Sequence, residues 1–147
     1  STQSNGYQAG GHDSTTNGDT INKYSHISDG NASDIGNLTY AGYGMKGSSS
    51  TTHGYSSGGY RTGAGYFNII DRHSFSSDGN ASDWADLSRS PDSPGSGSST
   101  THGYNFAGHN GSVFTSDIDK FPFASQTNAA DIGNLQWGAA APKGVNF

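Results

Sequence analysis

Residues 21–38 read INKYSHISDGNASDIGNL, and this stretch decides the fold because two related copies follow it. The copies are IDRHSFSSDGNASDWADL at 70–87 and IDKFPFASQTNAADIGNL at 118–135, offset by 49 and then 48 residues. In the first two copies an alternating run ends at an Asp-Gly turn, which is typical of β-strands joined by tight connections. A period of about 48 residues is the size of a four-stranded β-propeller blade.

A second block shows where the repeats are cut. SSTTHGYSSGGY at 49–60 and SSTTHGYNFAGH at 98–109 follow the first two copies, whereas the related STQSNGYQAGGH stands at 1–12. A repeat divided between the chain ends favours a closed ring, because an open stack has no reason to begin halfway through a unit. Pairing of N- and C-terminal strands would close that ring, within one chain or between chains.

We therefore predict one repeat domain over residues 1–147. Its repeats are expected at about 20–68, 69–116 and 117–147, the last completed by 1–19. The predicted fold class is all-β, with three four-stranded, propeller-like blades of which one is split between the termini. A monomer with pseudo-three-fold symmetry, of the β-trefoil or β-prism kind, is the alternative.

The composition favours an ordered chain rich in turns. Apolar residues make up 29% of the 147 residues, and the formal net charge is −5. Disordered chains of this polarity usually contain few aromatic residues, whereas this one has 7 Phe, 8 Tyr and 2 Trp. We expect strands around a thin aromatic core.

Several classes of protein are excluded at this stage. Seven Lys and Arg against twelve Asp and Glu give no basic surface for nucleic acid. No apolar run approaches the roughly 20 residues of a membrane span, and a chain without Cys forms neither disulfides nor thiolate metal sites. No nucleophile elbow, zinc-protease helix or phosphate-binding loop is present, which favours a non-catalytic protein.

Charged residues recur at fixed places in the repeat. A basic side chain and an aspartate return in every copy and form a structural signature, at Lys23, Arg72, Lys120, Asp34, Asp83 and Asp131. We interpret the aspartates, with the recurring Asn of each turn, as acceptors for nearby backbone N–H groups. Pairing of the recurring Asp with the recurring base would add under about 1 kcal/mol if exposed.

The DGNAS turns also suggest calcium. They resemble the oxygen-rich loops of integrin-type FG-GAP propeller repeats, and a hard cation takes six to eight oxygen ligands. The resemblance implies two candidate calcium sites, at Asp29, Asn31, Ser33, Asn37 and at Asp78, Asn80, Ser82, Asp86. The third copy has no carboxylate at the equivalent positions.

Aromatic and imidazole side chains beside small polar residues suit the faces and hydroxyls of sugars. The candidate glycan contacts are Tyr7, His53, Tyr55, His102 and Tyr104. Four N-x-S/T sequons would accept N-glycans in a eukaryotic secretory setting, at Asn31, Asn37, Asn80 and Asn110.

The repeat as a whole resembles a known type. IDKFPFAS at 118–125, the NASD turn and SSTTHGY followed by a Gly pair are similar to repeats of kelch-like virion structural or tail proteins of aquatic tailed phages. The resemblance implies a non-catalytic structural or adhesive protein of a virion, fibre or cell surface that assembles with itself. The alternatives are a multivalent carbohydrate-binding module and a calcium-stabilised extracellular scaffold.

Overall fold

The computed structural model describes residues 4–139 and Pro142. Over these residues the chain forms 13 strands in four antiparallel sheets and no helix. The prediction of an all-β protein is therefore confirmed. No helix long and apolar enough to cross a membrane is found among the described residues.

The first sheet has three strands, and they follow one another in sequence and in space. They are β1 (Asn5–His12), β2 (Asn17–Ser25) and β3 (Ser33–Asn37). A short turn joins β1 to β2, in which the Asp13 carboxylate accepts hydrogen bonds from the backbone N–H of Thr15 at 3.1 Å and of Thr16 at 2.7 Å. This local turn fixes β1 against β2 as a hairpin.

The second and third sheets have four strands each, again in chain order. The second contains β4 (Lys46–Ser49), β5 (His53–Ser57), β8 (Ile69–Ser74) and β9 (Ser82–Asp86). Between β5 and β8 lies a separate two-stranded ribbon, β6 (Tyr60–Arg61) and β7 (Gly65–Tyr66). The third contains β10 (Gly95–Ser98), β11 (His102–His109), β12 (Phe114–Pro122) and β13 (Ala130–Asn134).

The sheets begin and end at different places from the predicted repeats. The block at the N-terminus was expected to complete the third repeat, but β1 pairs with β2 from Asn5↔Ser25 to His12↔Asn17. The sheets therefore cover residues 5–37, 46–86 and 95–134. The physical reason is locality, since a hairpin turn of a few residues costs less chain entropy than pairing strands from opposite ends. The extreme ends of the predicted split repeat, 1–3 and 143–147, lie outside the described residues.

Buried carboxylates connect each four-stranded sheet to the segment before it. Asp71 on β8 is fully buried and accepts hydrogen bonds from the Thr39 backbone N–H at 2.7 Å and hydroxyl at 2.6 Å. Asp119 on β12 is also fully buried and accepts the same two bonds from Ser88, at 2.9 and 2.6 Å. Burial raises the pKa of Asp71, and the Thr39 bonds oppose that rise by favouring the charged form.

The apolar core is small and mostly aromatic. Tyr55, Ile70, Trp84, Leu87 and Phe121 form its buried centre, between the second and third sheets. Tyr55 stacks on Phe123 with ring centroids 4.8 Å apart and meets Phe121 at 5.6 Å. Each large side chain buried in this way contributes about 1.5–3 kcal/mol, so a few rings account for much of the hydrophobic stabilisation.

Arg89 supplies the positive charge at the second buried carboxylate. Its guanidinium lies 2.7 Å from Asp117 and 3.3 Å from Asp119, and it donates to the carbonyl oxygen of Ala107 at 2.8 Å. Arg89→Met should therefore lower the free energy of unfolding by about 3 kcal/mol, because it leaves a buried carboxylate without its countercharge. Urea unfolding measures the change.

Arg61→Met is the matched control, because Arg61 is exposed on β6. It should change the free energy of unfolding by less than about 0.5 kcal/mol. Equal losses in the two variants would contradict a structural role for the Arg89 charge.

Candidate functional site

The recurring Asn-Ala of the second and third turns holds the end of the preceding sheet. The Asn80 side-chain oxygen accepts from the Asn37 backbone N–H at 3.0 Å, and the Ala81 N–H donates to the Asn37 carbonyl at 2.8 Å. Both partners of Asn37 thus come from the next unit along the chain. This pair of bonds, made between the last residue of one sheet and the turn of the next, is called here the Asn clamp.

The same clamp joins the second and third sheets. Asn128 accepts from the Asp86 backbone N–H at 3.1 Å, and the Ala129 N–H donates to the Asp86 carbonyl at 2.7 Å. The two bonds of the clamp use only the backbone of the residue that is held, so Asn37 and Asp86 can both occupy this position. The recurring Asn therefore reaches outward to another sheet, although sequence analysis assigned it to its own turn.

The structure bears out the expected role of two signature aspartates, as acceptors for nearby backbone N–H groups, whereas the basic residues have other partners. Lys23 forms an ion pair at 2.5 Å with Asp78, which lies in the turn of the next sheet. Arg72 lies over the Trp84 ring at 3.7 Å, a cation–π contact. Asp34 and Asp131 each accept from the backbone N–H two residues on, at 3.1 and 3.0 Å. The predicted pairing of recurring Asp with recurring base is not the arrangement found at Lys23, Asp34 or Asp131.

Four of the eight candidate calcium residues, Asn37, Asp78, Asn80 and Asp86, take part in these junctions. Asp78 pairs with Lys23, and the Asn80 oxygen is engaged by Asn37. The Asp86 carboxylate accepts from the Asn128 amide at 3.5 Å, the outer limit for a hydrogen bond. Among the described residues no group of three or more His, Asp or Glu is arranged to hold a metal. Calcium binding stays a prediction.

A polar, aromatic-rimmed cleft of about 390 Å³ lies between the first two sheets. The first sheet contributes Tyr7, Tyr24 and His26, and the second contributes Lys46 and His73. Tyr24 and His26 meet edge to face at 5.4 Å, and Tyr7 stacks on Phe75 at 4.8 Å. Rings of both sheets therefore form the walls.

His73 is the buried imidazole of this cleft. It is 6% exposed, its ring lies 5.4 Å from that of Tyr7, and it covers Gly54 of the neighbouring strand. Among the described residues, both ring nitrogens of His73 and the Ser48 hydroxyl are buried without a hydrogen-bond partner. Burial lowers the pKa of His73 to about 4, so the ring is neutral at pH 7.

The predicted glycan residues do not form one site. Tyr7 lines the cleft, and Tyr55 reaches it only at an edge because it is 2% exposed and packed in the core. His53 and His102 belong to the tight turns before Tyr55 and Tyr104, each with its Nδ1 2.8 Å from the preceding threonine hydroxyl. Tyr104 lies on β11 of the third sheet.

Sequence reasoning missed Tyr24, His26, Lys46 and His73. The available signal was the ring that recurs at one strand position, as Tyr24, His73 and Phe121. Each of these three rings lies over a glycine of the adjacent strand, respectively Gly6, Gly54 and Gly103. The sequence indicates that this strand position holds a ring in every unit, but it does not indicate that Tyr24 and His73 line a cleft.

No protein-family model matches the chain, and no curated protein matches it significantly.

The neutral buried ring of His73 predicts a pH dependence of stability. Its pKa is about 4 in the folded protein and about 6.5 when unfolded, so the unfolded state binds more protons between these values. Stability is fully present above pH 6.5 and falls as the pH drops towards 4, by about 2–3 kcal/mol. Asp71 has the opposite sign, because its pKa is raised.

The contribution of His73 is isolated by His73→Phe, which places there the residue found at 121. We expect this variant to lose less stability between pH 7 and pH 4 than the wild type, measured by denaturant unfolding at each pH. His26→Phe is the control, since His26 is exposed. An unchanged pH dependence in His73→Phe would contradict a neutral His73.

Proposed function

We propose that this chain is a non-catalytic structural protein, built from propeller-like units and forming part of a fibre, virion or cell surface. The observation that carries the proposal is the Asn clamp, made at both junctions by aligned residues, Asn80 and Asn128. The recurring side chains of the unit are used to seat one sheet against the next. A scaffold needs this property, and a reaction centre does not.

The buried carboxylates support the same role. Asp71 and Asp119 would be the obvious acids or bases of a catalytic site, but both are fully buried and engaged by a hydroxyl and a backbone N–H of the preceding segment. A carboxylate satisfied on two sides orders the chain around it. In this proposal Asp71 and Asp119 hold neighbouring segments in position and carry out no reaction.

The strand order favours propeller-like units over a β-trefoil or β-prism. Each four-stranded sheet is a simple meander in chain order, β4-β5-β8-β9 and β10-β11-β12-β13, which is the connectivity of a propeller blade. The first strands of these two sheets, β4 and β10, lie side by side. The Ser49 N–H donates to the Ser98 hydroxyl at 3.0 Å, and the Ser96 hydroxyl donates to the Gly47 carbonyl at 2.8 Å.

The clamp is tested by asparagine substitutions that differ only in position. Asn80→Ala and Asn128→Ala should each lower the free energy of unfolding by about 1 kcal/mol, the net contribution of a typical hydrogen bond, because a backbone N–H of the neighbouring sheet loses its protein acceptor. Asn31→Ala is the matched control, since Asn31 has the same sequence surroundings and the same exposure as Asn80, but its turn belongs to the first sheet, which no other described sheet precedes. At low protein concentration it should change stability by less than about 0.5 kcal/mol.

Location is tested with an antibody against the chain. The proposal expects the protein in the purified particle, fibre or surface fraction of its source, in amounts comparable with other structural components. Detection only among soluble cell contents would contradict it.

A second candidate function is carbohydrate binding at the cleft. The observation that favours it is the combination of the exposed rings of Tyr24 and His26 with Lys46 in the lining of the same cleft. Sugars bind where aromatic faces lie beside hydrogen-bonding groups.

Carbohydrate binding predicts saturable signals on a glycan array, read with calcium and again with EDTA. Tyr24→Ala should weaken a positive signal about tenfold, as removal of an aromatic anchor does. Tyr104→Ala is the control, because Tyr104 lies on the third sheet away from the cleft. An array without binding in either condition would contradict carbohydrate binding. Equal effects of the two substitutions would show that the cleft is not the binding site.

A further inference from the structure

The two ends of the described stack carry the two halves of its first junction. At that junction β3, together with Lys23 of β2, meets the turn that precedes β9. Four contacts define it: Lys23 with Asp78, Gly36 with Gly79, the Asn37 N–H with Asn80, and the Asn37 carbonyl with the Ala81 N–H. We call the part on β2 and β3 the outgoing half of the junction, and the part in the turn before β9 the incoming half.

The sequence of each half occurs a second time, the outgoing half on the third sheet and the incoming half on the first sheet. Among the described residues of one molecule these second copies do not contact each other. The third sheet repeats the outgoing half as Lys120, Asp131, Ile132, Gly133, Asn134 and Leu135, matching Lys23, Asp34, Ile35, Gly36, Asn37 and Leu38. The first sheet repeats the incoming half as Ser28, Asp29, Gly30, Asn31 and Ala32, matching Ser77, Asp78, Gly79, Asn80 and Ala81. Every residue is identical in type to its counterpart.

Sequence identity at these ends is not shared by the second junction. There Arg72 replaces the lysine and Ala85 the first glycine, while Gln126 and Thr127 replace Asp78 and Gly79. The free ends therefore match the first junction more closely than the second junction does. This match favours selection for the same contact at the ends, because the fold tolerates other residues at these positions.

The outgoing end also leaves apolar side chains in water. Ile132 is 53% exposed where the aligned Trp84 is 8% exposed, and Trp137 is 70% exposed where the aligned Tyr40 is 7% exposed. A Cβ at Gly36 would collide with the Gly79 backbone, whereas a Cβ at Gly133 has open space among the described residues. The surface of the first sheet that receives this turn is therefore covered by no described residue at the equivalent place in the third sheet.

We propose that the outgoing end of one molecule docks on the incoming end of a second copy, reproducing the first junction between chains. Lys120 pairs with Asp29 of the neighbour, Gly133 lies against its Gly30, and Asn134 is gripped by its Asn31 and Ala32. The interface is head-to-tail, so it closes into a ring if the rotation permits and otherwise extends as a filament. This inference rests on the proposed structural role and specifies the partner.

One departure from the first junction suits an interface formed by separate molecules. Asn22 stands where Asp71 lies, and its amide donates to the Gln8 side chain at 2.9 Å, leaving its oxygen to accept from the Gln136 region of a neighbour. A carboxylate here would be exposed before docking and desolvated on docking, at a large cost. A neutral amide avoids most of that cost.

Zero-length carbodiimide crosslinking tests the proposed contact and contains its own positive control. The reagent joins a lysine amine directly to a nearby carboxylate, so Lys23 and Asp78 should link within each molecule. Lys120 and Asp29 should link as well. In an equal mixture of unlabelled and ¹⁵N-labelled protein, mass spectrometry should find Lys120–Asp29 peptides that join one light and one heavy chain.

Charge exchange tests the same contact in solution. Lys120→Glu and Asp29→Lys should each associate about tenfold more weakly than the wild type, since each opposes like charges at the junction. An equal mixture of the two variants should recover association, because every junction in an alternating assembly again pairs opposite charges. Arg61→Glu, with the same charge change on β6, should associate like the wild type. Light scattering over a range of concentrations gives the association constants.

The outcomes separate this inference from the proposed function. A discrete multiple of the monomer mass, or a mass that rises continuously with concentration, supports docking as a ring or as a filament. A monomer at all concentrations, with Lys23–Asp78 crosslinked and no light–heavy Lys120–Asp29 peptide, overturns the inference. Wild-type association that neither variant weakens also overturns it. In both cases detection of the chain in a particle or surface fraction would leave the structural role standing.

Discussion

The hydrogen bonds between an asparagine side chain in one turn and the backbone at the end of the preceding sheet determine how this protein is put together. Asn80 and Asn128 each satisfy a backbone N–H that its own sheet does not, and the alanine that follows satisfies the carbonyl of the same residue. Because the bonds use the backbone of the gripped residue, they set the position of the next sheet without restricting the side chains around them. The buried aspartates act at the same junctions, one strand further in.

Polar junctions of this kind explain how a chain with so little aliphatic surface keeps a defined shape. Removing water from a carboxylate is costly unless its partners are all in place, and Asp71 and Asp119 have theirs fixed by Thr39 and Ser88. The network therefore tolerates few alternative packings. Hydrophobic burial is concentrated in a few rings, such as Tyr55 and Phe121, which fill the space between sheets.

Much of the local structure could be predicted from the sequence, and most of the contacts between sheets could not. The recurring motif correctly indicated an all-β chain, and the strands β2, β8 and β12 lie where its alternating runs fall. The pairing of β1 with β2 was not predicted. Similarity between sequence blocks indicates that they share a local structure, but it does not indicate which strands they pair with. Likewise Lys23 pairs with Asp78, which lies 55 residues away in the sequence. The spacing of the repeats does not indicate that this turn lies against Lys23. At the cleft, Tyr7 was among the predicted glycan contacts, whereas His73 was not.

The glycines beneath Tyr24, His73 and Phe121 have a consequence for how such a chain can diversify. A glycine leaves a flat patch of backbone on which a planar side chain rests, and this patch makes the same demand of a phenol, an imidazole or a phenyl ring. The chemistry at that position has therefore changed from unit to unit while the strands kept their register. One place in each unit is ionisable, hydrogen-bonding or inert according to a single codon, so new binding properties can be acquired there without rebuilding the framework.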